Sequence, residues 1–147
     1  MAPLPTRNDL KKELVARGFE PYRTLPDAVV LADRVRDNLI MDSGVSVGVG
    51  DTLFVRVVFH AEAMAFPGET VEELVARARA LAKPLLERGY HEIGVSTLPI
   101  RDPGDRTQTL DTWYQVTFEL SVGSFEAVLD ELGVTLALEK AAGPSPR

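Results

Sequence analysis

The sequence predicts an α+β fold, a ferredoxin-like βαββαβ sandwich with a four-stranded antiparallel sheet, preceded by one or two N-terminal helices. Three observations predict it. Between Thr52 and Glu139 the apolar period switches between 2 and 3.6 in the order strand, helix, strand, strand, helix, strand. Thr70 and Glu73 form a capping box directly ahead of a broad apolar stripe, which marks a helix start after the first strand. A chain of 147 residues that is 45% hydrophobic and 26% charged suits a soluble domain with a sizeable core.

Residues 1–7 hold two prolines and read as a tail, as do residues 141–147 with their Gly-Pro-Ser-Pro run. Residues 8–50 read as a helical arm with a connector. Asn8 can cap a helix carrying Leu10, Leu14 and Val15 on one face, and Gly18 can end it. Pro26 and Asp27 suit the first turn of a second helix, with Ala28, Val29, Ala32, Val35 and Leu39 spaced by three and four and an end near Gly44. The alternative for this segment is a hairpin, Val29-Val30-Leu31 against Leu39-Ile40-Met41, turning through the charged run from Asp33 to Asp37. The Gly-rich stretch Gly44–Asp51 has no lysine and opens a strand rather than a helix, so it reads as a connector and not as a phosphate loop.

Residues 51–140 supply the predicted core. Leu53, Val55, Val57, Phe59, Ala61 and Ala63 alternate without a break and commit one face of the first strand to burial. Pro67-Gly68 turns the chain into a helix bearing Val71, Leu74, Val75, Ala78, Leu81, Ala82 and Leu85, with a break expected at Pro84 and an end at Gly89. The second strand covers His91 to Ile100. The third places Tyr114, Val116, Phe118, Leu120 and Val122 on one face and Trp113, Gln115, Thr117, Glu119 and Ser121 on the other. Ser124 caps a short helix with Phe125, Val128, Leu129 and Leu132 inward, Gly133 ends it, and Val134, Leu136 and Leu138 form the fourth strand.

Charge and composition narrow the function. Sixteen basic and 22 acidic side chains give a net charge of −6, which argues against nucleic acid and anionic lipid as partners. With no cysteine there is no thiolate ligand, thiol nucleophile or disulfide, a composition that suits a reducing, cytoplasmic setting. No basic segment leads into an apolar one at the N-terminus, and no apolar run approaches the roughly 18 residues that span a bilayer. Neither a secretion signal nor an anchor is expected.

The outer face of the two central strands is the first candidate surface. It would present Phe54, Arg56, Val58, His60 and Glu62 beside Trp113, Gln115, Thr117 and Glu119, too apolar for a purely solvated face. Either the N-terminal helices cover it, or another chain or a ligand does, with Trp113 as the anchor. An RNA-stacking sheet is disfavoured by the missing basic residues beside Trp113. The second candidate is the long connection Arg101–Asp111, where Arg101, Asp102, Asp105 and Arg106 alternate in charge. His60 and Glu62 share a strand face but are two groups, short of a metal site, and no nucleophile elbow or paired-histidine motif is present. No catalytic residue, metal or cofactor is assigned.

The expectation is therefore a non-enzymatic interaction or assembly protein, a homo-oligomer or a subunit holding an unlike chain. Phage tail-completion subunits are similar in plan, a leading helix followed by strand, helix, strand and strand, though no sequence motif links them to this chain. Two alternatives stay open: a small-ligand regulatory domain whose loop between strands two and three closes over a metabolite, and a small enzyme using His60 with Glu62 or Glu119.

Overall fold

The computed structural model describes residues 4–142. In chain order the elements are α1 (Arg7–Ala16), β1 (Pro21–Thr24), β2 (Ala28–Arg36), β3 (Leu39–Val49), β4 (Leu53–Glu62), α2 (Val71–Leu81), α3 (Lys83–Glu87), β5 (His91–Arg101), β6 (Thr109–Val122) and α4 (Phe125–Ala142), with a short 3-10 turn at Ala63–Ala65. The strands form one six-stranded antiparallel sheet in the order β1-β2-β3-β4-β6-β5.

This overturns the predicted four-stranded ferredoxin-like sandwich, and two segments account for the difference. Residues 26–41 are not a second helix. They belong to the hairpin β2–β3, in which Val29 faces Val47 and Ala28 faces Gly48. The apolar spacing of this segment fits a helix, but Ala28, Val29, Val30 and Leu31 are all buried in succession, a demand that a strand covered on both sides meets and a single helix face does not. Residues 134–138 are not a fourth strand. α4 runs through Gly133, which has no positive φ and so cannot act as a left-handed cap, and its buried positions Val128, Glu131, Leu132 and Thr135 keep helical spacing.

Smaller details also follow from local chemistry. Thr6, not Asn8, caps α1, its hydroxyl accepting from the Asp9 amide at 3.1 Å. The Thr70 and Glu73 capping box is formed in both directions at the start of α2. Pro84 lies in the first turn of α3, so the apolar stripe continues across a break at Ala82. Ser124 caps α4 by accepting from the Ala127 amide at 3.1 Å.

The chain divides into two compact units. One takes in the chain up to Val57 and from Glu119 onward. Its core is the row Val29, Leu31, Val45, Val47, Val55 and Val57, fixed on one face by the registers Val29↔Val47, Val47↔Val55 and Val45↔Val57. α4 packs on β3, and α1 on β2 and β3. Arg17 links these helices, bonding Glu126 at 3.5 Å, but both side chains are about half exposed or more, so that pair contributes at most about 1 kcal/mol. Leu10 and Leu14, fully buried, each contribute about 1.5–3 kcal/mol and hold α1 in place.

The other unit is Val58–Phe118. Phe59 and Phe118 meet edge to face at 6.3 Å between ring centroids, and Leu74, Val75, Ala78, Ala82, Leu85, Tyr90 and Val116 are buried with them. Arg77 spans the approach to α2, lying over the Phe66 ring at 3.9 Å and bonding Glu69 at 2.8 Å.

Two predictions test this packing. Gly48 lies in β3 with the Phe54 ring and the Asp27 carbonyl in the space a side chain would take. Gly48→Ala should therefore cost about 1–3 kcal/mol in chemical denaturation, and Phe54→Leu should only partly restore it because the carbonyl remains. Thr135 is fully buried in α4 with a hydroxyl that has no hydrogen-bond partner among the described residues. Thr135→Val keeps the shape, removes that group and should raise stability by about 1 kcal/mol; a fall in Tm would show that the hydroxyl is satisfied in solution.

Candidate functional site

Alternation along β4 puts Phe54, Arg56, Val58, His60 and Glu62 on the face opposite the valine row. In the first unit Phe54 is buried over Gly48, and the Arg56 guanidinium lies 4.1 Å from its ring centroid. Arg56 also donates from Nε to Glu119 Oε2 at 2.7 Å and has Asp27 within 3.4 Å. One cation held by a ring and two carboxylates has no charge left for an anionic ligand. Arg56 and Glu119 therefore form a structural clamp, and Glu119 is committed to it rather than to His60.

In the second unit His60 and Trp113 stack face to face, 4.1 Å between centroids and 4° from parallel. Trp113 donates its indole N–H to Asp111 Oδ2 at 3.1 Å, while Asp111 Oδ1 accepts from the Met64 amide at 2.9 Å and the Thr112 amide at 2.7 Å. This ties the start of β6 to the turn that follows β4. His60 Nε2 is 4.0 Å from Glu62 Oε1, too long for a hydrogen bond, so no acid-base pair is assembled. Burial lowers the His60 pKa, against the opposing pull of Glu62 and Asp111. Among the described residues no group of three or more His, Cys, Asp or Glu side chains is placed to hold a metal ion.

Val58 and Gln115 are half-buried, and Gln115 Oε1 accepts from the Ser96 hydroxyl at 3.2 Å. The connection between β5 and β6 is shorter than expected because β6 begins at Thr109. Arg101 donates to Thr109 Oγ1 at 2.9 Å. Asp102 accepts from the Gly104 amide at 2.8 Å, and Asp105 accepts from the Thr107 amide at 3.1 Å and its hydroxyl at 2.6 Å. The Thr107 bonds hold the Asp105 carboxyl below its ordinary pKa. Arg106 is exposed. The predicted site residues thus fall in three places: the Arg56 clamp with Phe54, the His60–Trp113 stack, and a turn whose aspartates are spent on its own backbone.

The most available surface is one for which the sequence reading named no residues. β5 ends the sheet, and from His91 to Pro99 every residue is exposed, including Ile93 at 44%, Val95 at 48% and Leu98 at 40%. Leu110 on β6 is half exposed too. At the opposite end β1 has only four residues and begins with Pro21. Apolar residues on both faces of the 91–100 segment suggested a covered strand; only the sheet order reveals that it lies at the margin. Glu92 is the one carboxylate in β5, and Arg79 of α2 binds it at 2.8 and 3.0 Å, which holds its pKa below the usual range.

Comparisons with protein-family models, curated proteins and solved structures find no match to this chain.

The His60 environment makes a pH prediction. Because the folded-state pKa lies below the ordinary 6.5, the unfolded chain takes up the proton first. This part of the stability is complete above that value and is lost as pH falls toward the folded pKa. His60→Phe preserves the stack and removes the titration. Denaturation midpoints from about pH 7.5 to about pH 5.5 should fall more for the parent than for the variant; parallel curves would mean that His60 is not desolvated.

Proposed function

We propose that this chain is a non-enzymatic interaction or assembly protein that holds another polypeptide along the free edge of β5. The observation that carries the reading is an eleven-residue terminal strand exposed on both faces with isoleucine, valine and leucine in solvent. A long apolar edge offers unpaired amides and carbonyls to an incoming strand, and proteins that avoid such pairing blunt their edges with lysine, charge or proline. β5 has no lysine, and its glutamate is engaged by Arg79. Only Pro99 interrupts it, near the end.

The direction of the edge groups can be worked out. The Asp102 amide donates to the Gln108 carbonyl at 3.0 Å, so position 102 turns toward β6. Alternation then turns 94, 96, 98 and 100 toward β6 and 93, 95, 97 and 99 outward. Pro99, lacking an amide proton, falls on the outward set, where it breaks no bond within the sheet. A ladder available to a partner therefore runs from His91 to Thr97. The acidic balance, the absence of cysteine and the absence of any described helix long and apolar enough to cross a membrane are compatible with a protein partner in a cytoplasmic setting.

Residue-resolved hydrogen exchange tests this reading. Val95→Lys adds a charge at an exposed position, which should block pairing and leave the fold intact. In that variant the amides of Ile93 and Thr97 should exchange much faster than those of Gly94 and Ser96. Uniform protection would mean that the chain covers this edge itself, and the reading would be lost.

A further inference from the structure

We infer that the partner of this edge is a second copy of the same chain, paired antiparallel about a two-fold axis at Gly94, so that the two sheets become continuous. The inference rests on the β5 edge reading and adds partner, direction and register.

Gly94 is the first indication. It sits mid-strand, has no positive φ, and has nothing within 4 Å of the point where a Cβ would stand. Nothing within its own chain calls for glycine there. Glycine inside a strand weakens it and marks places where another backbone comes close. Position 94 turns its amide toward β6, so across the free edge it would occupy a non-hydrogen-bonded pair, the arrangement in which opposed Cα atoms approach to about 4.5 Å.

The register is the second. Around Gly94 the opposed residues are Ile93 with Val95, Glu92 with Ser96 and His91 with Thr97, each occurring twice by symmetry. Apolar side chains meet apolar ones, no like charges are opposed, and all the pairs lie before Pro99. Shifting the axis to Val95 sets Glu92 against Leu98 and Ile93 against Thr97, and brings His91 against Pro99, which has no proton to donate. A two-fold axis normal to the sheet keeps every residue on its own face, as these pairs require. Growth by placing β5 on the other edge is limited because β1 offers four residues beginning with proline. Pairing like with like also closes the assembly, since it consumes the long edge of both copies.

The chain has no cysteine, so a single introduced one reports its own pairing. Gly94→Cys has open space for its side chain. Under mild oxidation it should form a disulfide dimer at least about tenfold faster than Ser96→Cys or the exposed-helix control Glu72→Cys, because the axis brings two copies of residue 94 together and leaves residue 96 facing 92. Light scattering on the cysteine-free parent should give a dimer mass that Val95→Lys returns to a monomer with unchanged Tm. A parent that dimerises through Val95 but crosslinks as fast at 96 as at 94 would overturn the register and keep the edge. A parent that stays monomeric at high concentration, with residue 94 no faster than the control, would overturn the second copy. The exchange pattern of the outward amides would then still decide whether the edge is open to an unlike chain. Should Gly94→Cys fold poorly, mixed Glu92→Cys and Ser96→Cys chains report the same register, since they should crosslink with each other faster than either does alone.

Discussion

The outer edge of β4 has room for one strand, and β3 takes it. Their registers run from Val49↔Leu53 to Val45↔Val57, closed by a turn in which the Gly50 amide donates to the Thr52 carbonyl. A C-terminal strand competing for this edge would close a loop of several dozen residues instead of a few. That is roughly four to five doublings of loop length, about 2.5 kcal/mol in closure entropy alone. Once β3 is in place, the segment after Ser124 has no strand partner on that edge. It satisfies its backbone within itself as α4 and packs its apolar face on β3.

The same pairing explains why much of the face with charged residues is satisfied internally. β3 supplies Gly48, whose missing side chain makes room for the Phe54 ring, and the buried ring supports the Arg56 guanidinium. Arg56 then draws in Glu119 and Asp27. In the other unit Trp113 is held by Asp111 and stacked on His60. A tryptophan fixed at its N–H and covered on one face is a piece of architecture, and its place in a motif search for binding anchors overstated its freedom.

The polar groups of these clusters and of the β5–β6 turn are largely paired, whereas the backbone edge of β5 and its apolar side chains are not covered by any described strand. The two ends of the sheet are unequal, a short proline-led strand at one and a long exposed strand at the other. This inequality is why the proposed function is assigned to β5.

Sequence alone determined the elements whose signals are local: the alternation of Leu53 to Ala61, the Thr70 and Glu73 capping box, the break at Pro84, and the two-sided pattern from Trp113 to Val122. It also determined the charge balance and the absence of thiol chemistry. Tertiary structure decided the rest. Val29 to Leu31 and Val134 to Leu138 carry spacings compatible with either state, and which they adopt depends on which segment reaches the β4 edge first and most cheaply in chain entropy. Gly48 looked like part of a connector because the ring that fills its space belongs to a residue on another strand. Ile93 and Val95 looked like core because a strand's pattern reports which positions are apolar, while only the strand order reports whether anything lies beside them.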